Sequence, residues 1–209
     1  MPWACRHFIL FLLLISASFL LLFDRTEGFA MLYQNFQKTE WNYVFSCFTF
    51  LGDGLFTFLL ILYFIIRKNY QLALLILASF LLSGLLVQVL KTIVAFPRPK
   101  VYFETVLPKL AMQLSSARGG FSSFPSGHTA TAFSLATILI FFHPSNKWGI
   151  ALFSIAFITG LSRIVLGHHF PLDVFAGAIL GILASFTVVA LQGAEIFKKS
   201  RIKFPLQAE

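Results

Sequence analysis

Long apolar stretches alternate with short polar stretches along most of the chain. The apolar stretches cover about residues 8–23, 44–66, 70–90, 126–142, 148–166 and 171–191. Each is close to the roughly 20 predominantly apolar residues that a helix needs to cross a bilayer. Because lipid cannot satisfy the backbone of an open strand, each stretch is predicted to be helical. The pattern predicts an all-α fold, a polytopic membrane bundle with about six transmembrane helices.

Composition and charge narrow the class further. Of the 209 residues, 58% are hydrophobic and only 11% are charged, and the mean hydropathy is +0.84. Such a chain is too apolar for an ordinary soluble domain. The net charge of +8 could suggest nucleic acid. However, the Lys and Arg residues flank apolar stretches and form no soluble face, so the bilayer is the expected partner and nucleic acid is not.

The chain is predicted to be one domain, residues 1–209, because it shows no internal repeat and no low-complexity linker. A basic tail follows the last apolar stretch, at 193–209. Cys5 and Cys47 lie in or beside apolar stretches and indicate neither a disulfide framework nor a metal site. The oligomeric state is not predicted.

The first apolar stretch has two interpretations. Arg6 followed by an apolar run with small residues is typical of a signal peptide. The run is longer than usual, however, and no clear cleavage site precedes Asp24. A retained helix is therefore expected.

The distribution of Lys and Arg predicts the orientation of the bundle. With six helices, both termini lie on one side of the membrane. The two sides carry equal numbers of Lys and Arg. Lys91, Arg98 and Arg163, all on the side away from the termini, are candidates for a chemical role and are therefore left out of the count. The side of the termini is then the more basic and is predicted to be cytoplasmic. The loops between the third and fourth helices and between the fifth and sixth then face outward.

Three polar clusters fall in or beside these two outward loops. They are Lys91 with Arg98-Pro99, then Pro125-Ser126-Gly127-His128, and then Ser162-Arg163 with His168-His169 and Asp173. Because all three clusters are expected on the same face, the third to sixth helices can bring them around one pocket at the membrane edge.

The basic residues and the helix start suit an anion of more than one charge. Arginine pairs two phosphate oxygens at once, and lysine supplies a mobile point charge. The segment Pro125–Gly127 is predicted to open a helix, so that free backbone N–H groups and the positive end of the helix dipole can point at the same anion. Ser126 adds a hydroxyl donor. This set of groups predicts a cage for a phosphoryl group.

Two histidines and a carboxylate complete the candidate chemistry. His169 and Asp173 lie four residues apart at a predicted helix start, where their side chains share a face. A carboxylate that fixes one ring nitrogen leaves the other as a nucleophile, and His128 is then available as a general acid. His168 has no carboxylate four residues later. Two histidines and an aspartate also suit zinc, but three nearby cations would repel a divalent ion.

These motifs resemble the signature of the type 2 phosphatidic acid phosphatase family, which shares its site with vanadium haloperoxidases. The resemblance covers roughly residues 50–190. It implies a phosphohistidine intermediate on His169, oriented by Asp173, with His128 as the acid and no metal or other cofactor. It also implies a set of phosphate-binding residues, namely Lys91, Arg98, Ser126, Gly127 and Arg163. The function expected from the resemblance is hydrolysis of lipid phosphates or diphosphates in a membrane.

Several alternatives stay open at this point. The family also allows transfer of the phosphate to an acceptor other than water, and an anion binder or transporter would use the same cations. Polyprenyl (undecaprenyl) diphosphate, lipid A phosphate, phosphatidic acid and phosphatidylglycerol phosphate all fit as substrates. The first two are favoured if the protein lies in a bacterial cytoplasmic membrane with its site facing outward. Residues 101–121 are expected to form a lid or interfacial helix. Asp53, between two glycines, either lines the pocket or merely kinks a helix end.

Overall fold

The computed structural model describes residues 1–36 and 39–202. Within these ranges the regular elements are all α-helices. In chain order they are α1 (Trp3–Leu22), α2 (Arg25–Asn35), α3 (Thr39–Phe50), α4 (Gly54–Ile66), α5 (Tyr70–Val94), α6 (Pro99–Val106), α7 (Pro108–Gln113), α8 (Gly127–Phe142), α9 (Asn146–Val165) and α10 (Pro171–Ile202). The predicted basic tail therefore begins inside α10, and residues 203–209 lie outside the described residues.

The helices confirm the prediction of an all-α polytopic membrane bundle. Four described stretches are long and apolar enough to cross a membrane: Trp3–Leu22, Tyr70–Val106, Asn146–Val165 and Pro171–Gln192. The pair α3 and α4, bent by 49°, makes a fifth candidate span. The helix α8 has 16 residues, or about 24 Å at 1.5 Å per residue, and is shorter than a bilayer core of about 30 Å. The number six is therefore approximate.

The predicted second stretch, residues 44–66, is interrupted where the sequence has Gly52-Asp53-Gly54. The helix α3 ends at Phe50 and α4 begins at Gly54, with the Asp53 side chain accepting a hydrogen bond from the Leu55 N–H. Asp53 is thus the N-cap of α4, because a carboxylate satisfies one of the free N–H groups at a helix start.

The helix α8 is the centre of the bundle and packs against α5, α9 and α10. Most of its side chains are buried. On α10 a stripe of small residues at four-residue spacing, Gly177, Gly181 and Ser185, faces α8. A Cβ at Gly181 would lie 2.2 Å from the Ala130 carbonyl oxygen, and a Cβ at Gly177 would lie 2.5 Å from the Ser126 carbonyl oxygen. Small residues therefore allow the two backbones to touch, as in other membrane helix pairs.

A buried serine cluster ties three of these helices together at mid-depth. The Ser79 hydroxyl lies 2.6 Å from the Ser134 hydroxyl and 2.7 Å from the Ser185 hydroxyl. Hydrogen bonds between membrane helices fix their relative rotation, because an unsatisfied hydroxyl in an apolar interior is unfavourable. The cluster therefore sets the register of α5, α8 and α10, which carry four of the candidate site residues, namely Lys91, Gly127, His128 and Asp173.

Short helices cover one end of the bundle. The helices α2, α6 and α7 pack over the loop that joins α9 to α10, around a buried aromatic cluster of Phe29, Phe103 and Phe170 with Leu114. The predicted lid segment 101–121 therefore contains most of α6 and all of α7. The helix α2 lies outside the predicted elements. Its sequence, with Gly28, Gln34 and Asn35, is not apolar enough for a span.

Candidate active site

The three predicted phosphate-binding cations meet at the covered end of the bundle. Lys91 lies in the last turn of α5, Arg98 immediately precedes α6, and Arg163 lies in the last turn of α9. The two arginines are buried, with 4% and 6% of their surface exposed. All three are close enough for their charges to interact. Burying several like charges together is unfavourable unless an anion can offset them.

Each buried arginine is held by one part of its guanidinium group and leaves another part unpaired. The Nη atoms of Arg98 donate to the carbonyl oxygens of His168 at 3.1 Å and Ser122 at 3.2 Å. One Nη of Arg163 donates to the Thr49 hydroxyl. Among the described residues, the buried Nε atoms of Arg98 and Arg163 have no hydrogen-bond partner. An oxyanion between the arginines would satisfy both donors.

The start of α8 forms the wall that the sequence predicts. Ser126 is fully buried and its hydroxyl caps the helix, accepting from the Thr129 hydroxyl at 2.9 Å. Its own N–H donates to the Asp173 carbonyl oxygen at 2.9 Å. The Ser126 N–H is therefore not one of the donors predicted to be free. The N–H groups of Gly127 and His128 remain at the open first turn of the helix.

His169 lies in the loop before α10, two residues ahead of the first helical residue, Pro171. This corrects the prediction that His169 is itself part of the helix start. The chain turns sharply after α9 because Gly167 has a φ of +74°, which glycine adopts without strain. The N–H groups of His168 and His169 then both donate to the Arg163 carbonyl oxygen, at 2.9 and 3.1 Å. The turn therefore places the His169 ring beside Arg163.

The predicted pair of His169 and Asp173 comes together in the buried interior. His169 Nδ1 lies 3.5 Å from Asp173 Oδ2, and both side chains are almost fully buried. The same carboxylate oxygen accepts hydrogen bonds from the Ser123 hydroxyl at 2.5 Å and from the Phe170 N–H at 2.9 Å. The carboxylate is thus held in place by two donors, while its charge faces the imidazole.

The environment keeps the His169 ring neutral near pH 7. Burial, together with the charges of Arg163 and Arg98, lowers the pKa of His169 to about 4, although Asp173 opposes this change. Desolvation disfavours the charged imidazolium, and nearby cations do the same. With Nδ1 turned toward Asp173, a neutral ring has its Nε2 lone pair free to attack an electrophile.

The neighbouring His168 has a different environment. Its Nδ1 accepts a hydrogen bond from the Arg118 N–H at 3.3 Å, and its carbonyl oxygen accepts from Arg98. Burial, followed by the charge of Arg163, lowers the pKa of His168 to about 3. The structure therefore gives His168 contacts that support Arg98 and the segment around Arg118.

His128 lies in the first turn of α8 and is the more accessible of the two histidines with predicted chemical roles. Its side chain is 29% exposed, against 3% for that of His169. Its Nε2 atom lies 3.5 Å from Asp53 Oδ2. Its charge interactions extend to Arg163, His169 and Lys91. The structure therefore brings all the predicted site residues to one place and adds Asp53, whose position the sequence left undecided.

Sequence reasoning missed four residues that support this cluster: Thr49, Ser123, Arg118 and Arg25. Thr49 contacts Arg163, and Ser123 contacts Asp173. The backbone of Arg118 contacts His168, and its charge lies near the predicted phosphate-binding cations. Arg25 in α2 stacks on Phe170, with its guanidinium carbon 3.9 Å from the ring centroid, and donates to the Pro97 carbonyl oxygen at 3.2 Å. None of the four has a local motif. Their roles follow only from contacts between distant segments.

No group of three or more His, Cys, Asp or Glu side chains within residues 1–36 and 39–202 is placed to hold a metal ion. The carboxylates of the site face histidines instead. The prediction that the reaction needs no metal stays a prediction.

The sequence profile of the PAP2 superfamily matches residues 72–197, which include nearly all of α5, all of α6 to α9 and most of α10. The chain belongs to the PAP2 superfamily. The all-helical fold and the family together define the class, a membrane protein of the PAP2 superfamily.

Three curated relatives are similar to this chain. "Bacitracin transport permease protein BcrC" of Bacillus licheniformis is 30% identical over 66% of this chain and 67% of its own length. "Undecaprenyl-diphosphatase BcrC" of Bacillus subtilis is 33% identical over half of each chain. "Lipid A 1-phosphatase" of Rhizobium etli is 29% identical over 80% of this chain and 60% of its own length. The chain thus spans between half and two thirds of the length of these relatives.

Two solved structures share the fold. The crystal structure of Aquifex aeolicus LpxE superposes with a TM-score of 0.66 at 30% identity, covering 79% of this chain and 94% of that one. A transmembrane PAP2 type phosphatidylglycerolphosphate phosphatase from Bacillus subtilis gives 0.62 at 26% identity, covering 92% and 98%. The similarity extends over nearly the whole of both solved chains.

Proposed function

We propose that this protein hydrolyses lipid phosphates or diphosphates through a phosphohistidine intermediate on His169, without a metal ion. The observation that carries the proposal is a buried cluster of two arginines beside a neutral histidine that is backed by a carboxylate. Within the described part of the chain, the Nε donors of both arginines have no hydrogen-bond partner. An anion site alone would need the arginines. The buried His169–Asp173 pair adds a nucleophile beside the bound phosphoryl group.

In the first step, His169 Nε2 attacks phosphorus and the bond from phosphorus to the lipid oxygen breaks. Asp173 stabilises the positive charge that the ring acquires, and His128 donates a proton to the departing oxygen. Lys91, Arg98, Arg163, Ser126 and the Gly127 N–H hold the other phosphoryl oxygens. The negative charge on these phosphoryl oxygens grows in the transition state, so donors that are already in place accelerate the reaction.

In the second step, water attacks the phosphohistidine. His128, now neutral, accepts the proton of the water as its oxygen bonds to phosphorus. The bond between phosphorus and nitrogen breaks, which releases inorganic phosphate and restores neutral His169. The proton that His128 gave in the first step is thereby returned.

The names of the relatives support two substrate classes, undecaprenyl diphosphate and lipid A phosphate. Both present an anionic head group attached to chains that can stay in the bilayer. We place the protein in a bacterial cytoplasmic membrane, with its termini in the cytoplasm and the site on the outer face. The name of one relative refers to transport. The measurement of phosphate release separates the enzymatic function from a transport or binding function.

The test is phosphate release by the purified full-length protein in detergent with excess EDTA. The substrates are undecaprenyl diphosphate, lipid A, phosphatidic acid and phosphatidylglycerol phosphate. The variants are His169→Ala and, as a matched control, His143→Ala, which replaces an exposed histidine at the opposite end of α8. We expect release with EDTA present, loss of at least about a thousandfold in His169→Ala, and near-normal release in His143→Ala.

A phosphohistidine should be trapped with ³²P-labelled substrate, because its bond between phosphorus and nitrogen is stable in base and labile in acid. Release that requires a metal, or that survives loss of His169, would overturn the mechanism. Transfer of the label to a second lipid instead of to inorganic phosphate would show a phosphotransferase.

A further inference from the structure

The break between α3 and α4 brings a second carboxylate to the site. Asp53 uses its Oδ1 atom to cap α4, accepting from the Leu55 N–H at 2.8 Å. Its Oδ2 atom is turned toward His128 and lies 3.5 Å from Nε2. The two oxygens of one carboxylate thus have different partners, the N-terminus of α4 and the imidazole of His128.

The backbone around Asp53 is held tightly against His128. A Cβ at Gly52 would lie 2.5 Å from the His128 carbonyl oxygen, so only glycine permits this approach. On the other side, the N–H and the hydroxyl of buried Thr57 both donate to the Asp53 carbonyl oxygen at 3.2 Å. The position of Asp53 relative to His128 is therefore a product of backbone packing and does not depend on a flexible surface side chain.

Burial and then the neighbouring positive charges disfavour a protonated His128, so an acid role calls for a nearby carboxylate. Arg163 on α9, Lys91 on α5 and His169 in the loop before α10 all face His128. Each of these groups, when charged, repels a protonated imidazole. The carboxylate of Asp173 faces His169 and accepts from Ser123 and Phe170. Asp53 is the carboxylate that faces His128 from the break between α3 and α4.

We propose that Asp53 is the positioning residue of His128, orienting its ring and stabilising the imidazolium that protonates the leaving lipid oxygen. This inference rests on the proposed function. The site then contains two His–Asp pairs of unequal accessibility. His169 with Asp173 is buried behind the phosphoryl group and forms the new bond. His128 and Asp53 lie on the open side, where their side chains are 29% and 46% exposed. This pair protonates the oxygen of the bond that breaks.

The test uses Asp53→Asn and two substrates that differ in their need for an acid. Asparagine caps a helix about as well as aspartate, so α4 keeps its N-cap while the charge is lost. The lipid substrate is phosphatidic acid, whose alkoxide needs a proton to leave. The second substrate is p-nitrophenyl phosphate, whose nitrophenolate leaves without one near neutral pH.

For phosphatidic acid, we expect kcat/KM to fall about 10- to 100-fold, within the range that general acid catalysis provides. For p-nitrophenyl phosphate the loss should be at most about threefold, because the nucleophile and the phosphate-binding residues are unchanged. The alkaline limb of the kcat profile for phosphatidic acid should also move to lower pH, because the imidazolium loses its stabilising carboxylate.

The matched control is Asp24→Asn. Asp24 also caps a helix with its carboxylate, accepting from the N–H groups of Thr26 and Glu27, and it contacts none of the site histidines in the described structure. It should behave as the wild type with both substrates.

Equal losses for both substrates in Asp53→Asn, or no loss for phosphatidic acid, would overturn the proposal. Failure of the proposed function would give a different result. In that case His169→Ala would turn over both substrates as fast as the wild type. Activity of Asp53→Asn on p-nitrophenyl phosphate also shows that the variant is folded.

Discussion

At the scale of single residues, the site depends on how two buried groups are held. Asp173 faces His169 at 3.5 Å, which is longer than a good hydrogen bond, while Ser123 and the Phe170 N–H bind the same oxygen more closely. The carboxylate is therefore positioned mainly by Ser123 and the backbone, and it acts on His169 largely through its charge. This arrangement leads to two predictions.

Ser123→Ala should lower kcat by about 10- to 100-fold, the size of effect known for hydrogen-bond partners that orient metal ligands, because Ser123 orients Asp173 in the same manner. The substitution leaves the Asp173 carboxylate with one donor instead of two, and the hydroxyl is fully buried, so little water can replace it. The measurement is phosphate release at saturating lipid. Ser123→Thr, which keeps the hydroxyl, should recover much of the loss.

Ser122→Ala is the matched control, because Ser122 contributes only its carbonyl oxygen to Arg98. An unchanged kcat in Ser123→Ala would show that the Ser123 hydroxyl does not position Asp173.

His169 should titrate far below the ordinary histidine range. Its pKa is lowered to about 4, against about 6.5 in an unfolded chain. His169 therefore stays neutral while the pH falls from about 6.5 toward about 4. Over that window the unfolded chain binds the proton more readily, so this residue reduces the stability of the fold as the pH falls. Nitrogen-15 NMR of labelled histidines, compared with His169→Ala, should show the midpoint. A midpoint near 6.5 would contradict the burial argument.

At the scale of helices, the contact between α8 and α10 decides whether the site forms. The stripe Gly177, Gly181 and Ser185 allows α10 to touch the backbone of α8, and the Asp173 carbonyl oxygen accepts from the Ser126 N–H at the top of the same contact. A separation of these two helices would therefore move Asp173 away from the start of α8, where the phosphoryl group is proposed to bind.

Gly181→Ala should destabilise the protein by about 1–3 kcal/mol, the usual cost of overpacking a well-packed interior. The new Cβ would lie 2.2 Å from the Ala130 carbonyl oxygen, and backbone cannot move aside as a flexible side chain can. Thermal unfolding in detergent measures the effect. Gly84→Ala on α5 is the control, because a Cβ there meets nothing within 4 Å. Equal melting temperatures for the two variants would refute close packing of α8 on α10.

At the scale of the whole molecule, the helices form a polar end and an apolar body. The polar end gathers the termini of α5, α8, α9 and α10 under a cover formed by α2, α6 and α7. The body exposes many large apolar side chains, among them Leu14, Phe58 and Leu85. Such a surface is suited to lipid, so the proposed lipid substrate would leave its chains in the bilayer while its head group reaches the site.

The orientation can be tested with single cysteines at two exposed lysines. Lys109 lies in α7 at the covered end, and Lys147 lies at the start of α9 at the opposite end. In a background that carries both Cys5→Ser and Cys47→Ser, Lys109→Cys should react with a membrane-impermeant maleimide in intact cells. Lys147→Cys should react only after permeabilisation, because the side of the termini is predicted to be cytoplasmic. The reverse labelling pattern would place the site on the cytoplasmic face.

The sequence by itself determined the class of fold and predicted which residues form the candidate site. Apolar stretches are continuous in the chain, and a backbone in lipid must satisfy its own hydrogen bonds, so the helices could be predicted from local pattern. The motifs around Arg98, Ser126 and His169 are also local. Their common location followed from the alternation of helices across the membrane.

Only the tertiary structure decided which groups support those residues. The hydroxyl of Ser123 and the carboxylate of Asp173 are separated by 50 residues, and Thr49 and Arg163 by 114. The pairing of Asp53 with His128 likewise joins a helix break to a different helix. Such contacts depend on how helices rotate and tilt against one another, which side-chain packing and close backbone approach determine. These contacts join residues of different helices, so no fixed sequence separation identifies them in a single sequence.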